Sequence, residues 1–400
     1  MTSKADKVDK RVAAVLLTSR YIMYAVGRSR GNTLADLKVS LDLTDGNRFN
    51  RIECDLDDPE DIRDGISAAA SAIREQEQNI DGLCVASCRY LKSNWIDDKT
   101  LTTNNYGVIE HSAISPSWAD TNLFQIASEV FSGVVDPRDI FVQTDVNLGA
   151  LGEFYFRLAA NCFSDSAERQ RLRAEGFTKR SIKNYVGERA GLAFIKLSDT
   201  VDASVCIGGK IIQTTANPLF GWQKPRRLFF DGERDTFLGT CDVHGDCYSG
   251  MISEGAIKAR LNEIDIHVPY HELPEGDAMD HIVAYYAAQM VKQINLVFFP
   301  RVVVVGGRLV EDRRDSGKPT CRDLSTLIYD SFLEQIRPDF DLGRYPNHAD
   351  ICRLYDFSDR LSLTGEPAKF VQSALCPYPV VFGAIVYAAR KSGSQQGDSK

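Results

Sequence analysis

The sequence predicts an α/β protein with two lobes, and three observations lead to this fold class. The chain has 400 residues, 44% of them hydrophobic and 26% charged, and a core of this size usually divides between two domains. Short apolar runs typical of strands alternate with longer amphipathic segments typical of helices. Two β-rich openings, near residues 11 and 192, suggest two related lobes that face a cleft.

The first lobe opens with apolar, β-forming runs and continues into a helix and a buried strand. Its predicted elements are a two-stranded hairpin, a third strand, a helix and a buried strand, at residues 11–17, 21–26, 37–43, 61–78 and 81–87. A short strand at 140–143 then leads into a polar turn with Asp145 and Asn147, and a helix follows from Leu148. Asp145 thus falls at the carboxyl end of a strand, where open α/β sheets bind ligands.

The second lobe begins with another pair of strands and also continues into a helix and a buried strand. These elements are predicted at residues 192–197, 203–207, 281–297 and 301–305. The last strand ends in Gly306 and Gly307. The most basic stretch, residues 168–183, also contains acidic residues, and we interpret it as a solvated helical insertion.

Composition argues against several classes of partner. The net charge of −8 and the lack of an extended basic cluster argue against a nucleic-acid-binding surface. No apolar segment resembles a signal peptide or is long enough to cross a bilayer. The ten cysteines are mostly dispersed in apolar surroundings, which favours reduced thiols over disulfides. We therefore expect a cytoplasmic protein that binds neither nucleic acid nor membranes.

Cys241, His244 and Cys247 follow a C-x2-H-x2-C spacing just before an apolar helical stretch. Zn²⁺ accepts thiolate and imidazole ligands in tetrahedral geometry, and a tight loop brings these three side chains within reach of one ion. The sequence therefore predicts a small zinc-binding loop whose fourth ligand comes from elsewhere or from water. The alternative is a chance cluster in a chain with ten cysteines.

Asp145 is the candidate catalytic residue. A carboxylate within hydrogen-bond reach of a substrate hydroxyl can accept its proton, and phosphoryl transfer requires such an oriented nucleophile. The alternative is that Asp145 only caps the helix that follows, because aspartate is a favoured N-cap residue.

Four segments resemble the ROK family (repressors, open reading frames, kinases), and most closely its fructokinase branch. They are TDVNLGALGEF at 144–154, the cysteine and histidine loop at 239–260, the helix and strand at 281–307, and FGAIVYAAR at 382–390. Together with weaker matches near the N-terminus, they extend over nearly the entire chain.

The resemblance implies a two-lobed, actin-like (ribonuclease H-like) ATPase fold with a small zinc-binding loop. The first lobe would contain residues 10–150 and a C-terminal helix at about 380–391, and the second would contain residues 151–379 with the zinc loop at 239–250. Sugar and ATP would meet in the cleft, and an aspartate at the position of Asp145 would take the proton from the attacking sugar hydroxyl.

Both phosphate-binding loops differ from the family's pattern. Ser19 and Arg20 occupy the first, where the family has glycines, and the second, residues 198–204, contains no glycine at all. Side chains obstruct close backbone approach to an anion, and Asp199 and Asp202 would face a polyphosphate unless a cation such as Mg²⁺ intervened. The nucleotide-binding candidates that remain are Ser19, Arg20, Gly306 and Gly307.

Several sugar and zinc positions differ as well. Asp120 stands where many relatives have a sugar-contacting asparagine, and Gln223 replaces the family's glutamate; with Asn147 these are the substrate-binding candidates. Arg226 occupies the position of the histidine that completes the family's zinc site, and arginine cannot serve as that ligand. Asp231 and Glu233 are the alternative fourth ligands.

Three functions stay open on sequence. The first is phosphorylation of a fructose-like hexose or related hydroxyl, with Mg-ATP as donor and Asp145 as base. The second is a catalytically inactive ROK paralogue that binds a small sugar-like ligand or regulates another protein. The third is a different reaction on the same scaffold. A DNA-binding repressor is disfavoured because the first strand begins almost at once, and the resemblance is also compatible with a homodimer.

Overall fold

The structure is a computed structural model, and it describes residues of both predicted lobes. The described residues are 9–18, 21–31, 36–42, 50–53, 58–93, 105–110, 116–164, 166–213, 219–230, 233–310, 324–339, 369–373 and 379–392. Of the predicted site residues, Ser19 and Arg20 lie outside these ranges, as does the alternative zinc ligand Asp231.

The first sheet is built from the N-terminal part of the chain. Its strands are β1 (Asp9–Leu17), β2 (Tyr21–Arg30), β3 (Lys38–Asp42), β4 (Asn50–Glu53), β5 (Gly82–Ser87) and β6 (Ile140–Thr144), with helices α1 (Pro59–Gln76) and α2 (Leu123–Val130). The strand order is β3-β2-β1-β5-β6, and β4 pairs with β2. The predicted hairpin is confirmed, because β1 pairs with β2 in antiparallel register from Asp9 opposite Arg30 to Leu17 opposite Ile22.

The second sheet follows after three helices, α3 (Asp145–Ala159), α4 (Ser166–Ala174) and α5 (Lys179–Arg189). Its first strands are β7 (Gly191–Leu197), β8 (Val201–Ile207) and β9 (Lys210–Ile211). Beyond a small hairpin of β10 (Phe229–Phe230) and β11 (Glu233–Arg234) come helices α6 (Tyr248–Ile252), α7 (Glu254–Glu263) and α8 (Ala278–Phe298). The remaining elements are β12 (Val302–Gly306), α9 (Ser325–Asp339), β13 (Lys369–Gln372) and α10 (Pro379–Lys391).

The two sheets have the same strand order and the same strand directions. In the first, β1 is antiparallel to β2 and parallel to β5, which is parallel to β6. In the second, whose order is β13-β12-β7-β8-β9, β7 is antiparallel to β8 and parallel to β12, which is parallel to β13. The duplication suggested by the two β-rich openings is therefore present in the topology. We call the halves built around these sheets the first and second lobes.

Each sheet is covered on both faces, which explains the uninterrupted apolar runs of the central strands. Every residue of β5, β6, β7 and β12 is buried, as expected for parallel strands with helices on both sides. Separate core clusters lie on the two faces of the first sheet, and two more lie on the faces of the second. No helix in the described part of the chain is both long and apolar enough to span a bilayer.

Helices α3 and α10 cross between the two sheets. Helix α10 packs against β1 and β5, whereas α3 packs against β7 and β8, and the two helices contact each other. The contact is close because glycines face each other: a Cβ atom on Gly383 would lie 1.8 Å from the carbonyl oxygen of Leu148. Helix α3 runs without a break across residues 150 and 151, so the predicted lobe boundary falls within a helix, and the division itself stays a prediction.

Candidate active site between the lobes

Asp145 is the first residue of α3, directly after β6. The predicted polar turn at this point is wrong, since Thr144 is the N-cap of the helix and both Asp145 and Asn147 lie within its first turn. The strand passes into the helix without a loop, and this places the Asp145 carboxylate at the carboxyl end of β6. Asp145 is not the N-cap residue, so the alternative capping role is not what the structure shows.

The Asp145 carboxylate forms a buried ion pair with Lys196 of β7. The Lys196 Nζ atom lies 2.7 Å from Asp145 Oδ2, and the two side chains are only 9% and 11% exposed. Burial raises the pKa of the Asp145 carboxyl, and the Lys196 ammonium opposes that rise. Burial alone would lower the pKa of Lys196, but the carboxylates of Asp145 and Asp199 raise it above its usual value. The lysine is therefore a permanent cation beside the candidate base.

A second ion pair bridges the two lobes at the turn between β7 and β8. Arg89, which follows β5, places one guanidinium nitrogen 3.1 Å from Asp199 Oδ2, and its side chain is 4% exposed. Lys196 Nζ lies 3.9 Å from the other oxygen, Asp199 Oδ1. Although burial opposes it, these two cations lower the pKa of Asp199. The expected repulsion between Asp199 and a polyphosphate is thus reduced by cations of the protein itself.

Asp202, in β8, is buried, and only one of its two carboxylate oxygens has a hydrogen-bond partner among the described residues. Its Oδ1 atom accepts hydrogen bonds from the backbone N–H groups of Ala203, at 2.8 Å, and Gly221, at 3.0 Å. Among the described residues Oδ2 has no hydrogen-bond partner. Burial outweighs the two N–H donors and raises the pKa of Asp202 to about 7. Asp202 therefore titrates near neutral pH.

Asn147 belongs to a buried polar network that joins the lobes. Its Nδ2 atom donates to Gln143 Oε1 at 2.9 Å and to Gln213 Oε1 at 3.2 Å. Its Oδ1 atom accepts from the Ser204 hydroxyl at 2.6 Å. Both polar atoms of the amide are thus engaged within the protein, and the two hydrogens of Nδ2 are both used.

The other predicted substrate residues lie at the surface. Asp120 has a positive φ of 64° and forms an ion pair with Lys92, and its side chain is 75% exposed. Gln223 is also exposed, and its backbone carbonyl accepts a hydrogen bond from the N–H of Tyr248. Neither residue is brought into contact with the Asp145–Lys196 pair, and a sugar-binding role for them stays a prediction.

Gly306 and Gly307 are explained by packing at the end of β12. A Cβ atom on Gly306 would lie 2.8 Å from the ring of Phe194. Gly307 has φ of +102°, and a Cβ there would lie 2.4 Å from the carbonyl oxygen of Leu197 in β7. The close approach of two strands accounts for both glycines, so a nucleotide is not needed to explain them, and nucleotide binding by this pair stays a prediction.

Cys241, His244 and Cys247 converge at one point of their loop. Their ligand atoms all lie within 4.8 Å of one another, and Cys241 Sγ is 3.7 Å from His244 Nδ1. Two ligands of a tetrahedral zinc ion lie roughly 3.5–3.8 Å apart, so the three side chains fit such an ion after small adjustments. The His244 ring packs on Trp222 with centroids 4.9 Å apart, and Trp222 packs on Tyr90 of the first lobe. The loop is therefore connected across the cleft.

The fourth zinc ligand is not among the residues grouped in the described part of the loop. Arg226 is exposed, and its backbone N–H and carbonyl groups bond to the Gln289 side chain. Glu233 is exposed in the small β10–β11 hairpin. Neither joins the cluster of ligand atoms, and Asp231 lies outside the described residues, so the fourth ligand of the predicted zinc ion stays a prediction.

Lys196 and Arg89 are the site residues that sequence reasoning missed. Both positions carried a signal: Lys196 is a single charge within the otherwise apolar strand segment LAFIKL, and Arg89 follows the apolar segment LCVASC. A charge inside a fully buried strand is rare unless it is paired. What sequence could not show is that their partners are Asp145 and Asp199, which lie 51 and 110 positions away along the chain.

Comparison with known proteins agrees with the resemblance seen in the motifs. The fructokinase of Lactococcus lactis subsp. cremoris is 24% identical over 247 residues, which are 61% of this chain and 66% of that protein. The fructokinase of Zymomonas mobilis is 28% identical over 196 residues, 48% of this chain and 51% of that protein. The matches span between 45% and 66% of the length of the curated relatives. No protein-family model matches the chain.

Solved structures extend the likeness to the whole chain. A ROK family glucokinase from Streptomyces griseus, in complex with glucose and AMPPNP, superimposes with a TM-score of 0.53 at 15% identity, over 95% of this chain and 99% of that chain. The fold is that of the ROK family. A ROK family transcriptional regulator, homologous to the E. coli Mlc protein, superimposes with a TM-score of 0.55 at 11% identity, over 96% of this chain and 79% of that chain.

These neighbours confirm the predicted resemblance and the α/β, actin-like ROK fold. Because both kinases and a regulator have this fold, the fold does not by itself decide between catalysis and binding. The decision depends on the residues in the cleft.

Proposed function

We propose that this protein transfers a phosphoryl group from a nucleotide to a hydroxyl group of a hexose-like sugar, with Asp145 as the general base. The observation that carries the proposal is the buried carboxylate of Asp145 at the carboxyl end of β6, facing the second lobe through Lys196. Two curated relatives are fructokinases, and a glucokinase of similar fold was solved in complex with glucose and a nucleotide analogue.

In the proposed reaction, Asp145 accepts the proton of the sugar hydroxyl while the hydroxyl oxygen attacks the terminal phosphorus atom of the nucleotide. The bond from phosphorus to the bridging oxygen breaks, and the nucleoside diphosphate leaves with its electron pair. Lys196 supports this role because a buried carboxylate without a cation would hold its proton and could not act as a base.

Among the described residues, the carboxylates of Asp199 and Asp202 leave a magnesium ion a single oxygen without a hydrogen-bond partner, Asp202 Oδ2. Asp199 Oδ2 is paired with Arg89, and Asp199 Oδ1 accepts the backbone N–H of Thr200 at 3.0 Å. Asp202 Oδ1 is occupied by two backbone donors. We therefore assign no step to a metal ion held by these residues, and the cations available to a phosphate are Lys196 and Arg89.

The test is the variant Asp145→Asn, assayed with ATP, magnesium chloride and a panel of hexoses. The amide cannot accept the proton, so turnover should fall by roughly 10²–10⁴-fold, the usual contribution of a general base. Asp64→Asn, an exposed position on α1, is the matched control and should keep wild-type activity. Turnover of Asp145→Asn equal to that of the wild type, with any sugar of the panel, would contradict the assignment.

A second candidate function is sugar binding without catalysis. The observation that favours it is that Lys196 already occupies a hydrogen-bonding position on Asp145, while the glycines of the second phosphate loop are absent. Calorimetry separates the two functions: an inactive binding protein takes up a sugar but shows no binding of AMPPNP at millimolar concentration, whereas a kinase binds both.

We also propose that Cys241, His244 and Cys247 hold a structural zinc ion, with water as the fourth ligand. The ion would fix the loop whose His244 ring packs on Trp222, which in turn packs on Tyr90 of the first lobe. An open fourth position is typical of catalytic zinc sites, but the assigned role here is structural because the ion would link the loop to the neighbouring lobe.

A further inference from the structure

The Lys196 ammonium lies between the candidate base and the turn that replaces the second phosphate loop. Its Nζ atom is 2.7 Å from Asp145 Oδ2, 3.0 Å from the Thr200 hydroxyl and 3.9 Å from Asp199 Oδ1. A phosphoryl group that passes from a nucleotide to a hydroxyl on Asp145 must cross the space next to this ammonium.

Three backbone N–H groups in and next to the same turn already have partners within the protein. The N–H of Thr200 donates to Asp199 Oδ1 at 3.0 Å, and the N–H of Ala203 donates to Asp202 Oδ1 at 2.8 Å. The N–H of Val201 donates to the Ser249 hydroxyl at 3.0 Å. Side chains of the protein have thus taken the place that an anion would occupy on these donors. A phosphate at these three positions would have to displace a side chain, whereas the Lys196 ammonium already lies beside the turn.

We infer that Lys196 is a catalytic residue that contacts the phosphoryl group during its transfer, in place of the missing glycine loop. This inference rests on the proposed kinase function and adds to it the group that neutralises the transferred charge. A compact ammonium is suited to this role, because it can bind oxygens of two anions in turn.

The charges balance along the reaction. Before the reaction, the positive charge of Lys196 offsets the negative charge of Asp145. When Asp145 accepts the hydroxyl proton it becomes neutral, and the ammonium is left free to bind the oxygens of the phosphoryl group, whose charge peaks in the transition state. Lys196 therefore stabilises the transition state more than the resting enzyme, which is what raises kcat.

Other charged groups surround this pair and belong in the design of the test. Arg89 and the Cys88 thiol approach from the segment after β5, and Asp199 approaches from the turn after β7. Asp202 of β8 interacts with both members of the pair, and Arg308, after β12, acts on Asp199. Arg89 is paired with Asp199, and neither residue is replaced in the variants below. The comparisons therefore isolate the Lys196 ammonium.

The experiment compares Lys196→Met, Lys196→Arg and the control Lys258→Met, which removes an exposed lysine of α7. We expect Lys196→Met to lower kcat by about 10²–10³-fold, the effect of removing one preorganised donor from a transition state, with the KM for the sugar unchanged. Lys196→Arg should retain part of the activity. Because Asp145 loses its cation, the acidic limb of the pH–rate profile of Lys196→Met should move to higher pH.

Nucleotide binding provides a measurement that does not require turnover. Calorimetry with AMPPNP and magnesium chloride compares Asp145→Asn with the double variant Asp145→Asn/Lys196→Met, which leaves no unpaired Asp145 carboxylate in the cleft. The single variant should bind the analogue, and the double variant should bind it at least tenfold more weakly. Circular dichroism checks that both variants are folded.

The outcomes separate this inference from the kinase proposal. A wild type that binds AMPPNP through Lys196 but phosphorylates no sugar contradicts the kinase function and supports the contact. A wild type that phosphorylates sugar while Lys196→Met keeps or increases its kcat contradicts the contact and supports the kinase function. A wild type that neither binds AMPPNP nor turns over contradicts both.

Discussion

At the scale of single residues, charged side chains lie in the cleft where the family that the sequence resembles binds phosphate through backbone N–H groups. The turn between β7 and β8 has lost its glycines, and in their place are Asp199 and Asp202, whose carboxylates bond to backbone N–H groups of the turn itself. Lys196 and Arg89 then balance the acidic groups from opposite lobes. A buried ion pair of this kind adds little net stability, so the arrangement is better explained by a role in the site than by folding.

Asp202 makes the stability of the protein depend on pH. Its pKa is raised by burial to about 7 in the folded state, whereas an aspartate in the unfolded chain has a pKa of about 4. Between these values only the folded state holds the proton, so raising the pH favours unfolding progressively across the window from about 4 to about 7. Above this window the loss of stability is complete.

We therefore predict that Asp202→Asn is less sensitive to pH than the wild type. An amide keeps the oxygen that accepts hydrogen bonds from Ala203 and Gly221 but cannot ionise. The free energy of unfolding of the variant should therefore rise relative to that of the wild type by about 1–3 kcal/mol as the pH rises from 5 to 8. Thermal or urea unfolding of both proteins at pH 5, 6, 7 and 8 measures the difference. Parallel stability curves for the two proteins would show that Asp202 is ionised throughout.

Sequence reasoning at this scale located Asp145 but not its environment. The position at the carboxyl end of a strand followed from local pattern alone. The ion pair with Lys196 could not be predicted in this way, because neither a lysine in a strand nor an aspartate at the start of a helix indicates which residues lie nearby in the folded protein. The same limit applies to Asn147, whose amide bonds to Gln143, Gln213 and Ser204 rather than facing an open position.

At the scale of elements, the contact between α3 and α10 depends on glycine. In both helices the segments that carried the family resemblance, LGALGEF and FGAIV, contain the glycines at the crossing. A Cβ on Gly383 would lie 1.8 Å from the Leu148 carbonyl oxygen, and a Cβ on Gly152 would lie 2.1 Å from the Pro379 carbonyl oxygen. These glycines serve the packing that holds Asp145 in place, since α3 begins with that residue.

The same substitution, glycine to alanine, should therefore have opposite effects on the free energy of unfolding at two helical positions. Gly383→Ala should destabilise the protein by about 1–3 kcal/mol or more, because backbone atoms must move apart to admit the methyl group. Gly255→Ala, in α7, places its methyl group in open space, with the nearest atom 4.0 Å away, and should stabilise by about 0.4–1 kcal/mol. Urea unfolding measures both, and a Gly383→Ala protein as stable as the wild type would contradict the close crossing.

The loop at residues 239–250 is proposed to hold zinc, and the metal content of the purified protein tests this proposal. Elemental analysis of the purified protein should give close to one zinc per chain, and Cys241→Ser/Cys247→Ser should give none, because a hydroxyl is a poor replacement for a thiolate ligand. The same double variant should have a lower Tm, since the bound ion stabilises only the folded state. Wild-type protein without zinc would contradict the proposed site.

Elements as such were predictable from the chain. The hairpin at the N-terminus, the strand pair of the second lobe, the long helix α8 and the strand β12 occur where their apolar patterns place them. The start of α3 was not, because no turn separates it from β6: Thr144 ends the strand and caps the helix. The sequence predicted a turn at that point because the end of the strand and the first turn of the helix are both polar.

At the scale of the whole molecule, the side chains that meet across the cleft are polar or aromatic, whereas α3 and α10 join the two lobes by apolar packing. The Arg89–Asp199 and Lys196–Asp145 pairs, the amide network around Asn147, and the stacking of Tyr90 on Trp222 all lie between the two halves. Polar contacts of this kind can exchange partners when a ligand enters, whereas an apolar interface would have to be broken outright.

By itself, the sequence determined the α/β class, the order of the elements, the duplicated sheet openings and the aspartate at the end of β6. Each of these depends on local pattern, on residues within one strand, one helix or one turn. Only the tertiary structure decided that Lys196 and Arg89 neutralise the cleft, and that Gly306 and Gly307 are required by packing. The physical reason is that each of these facts is a distance between atoms far apart in the chain, fixed by how the two sheets pack around α3 and α10.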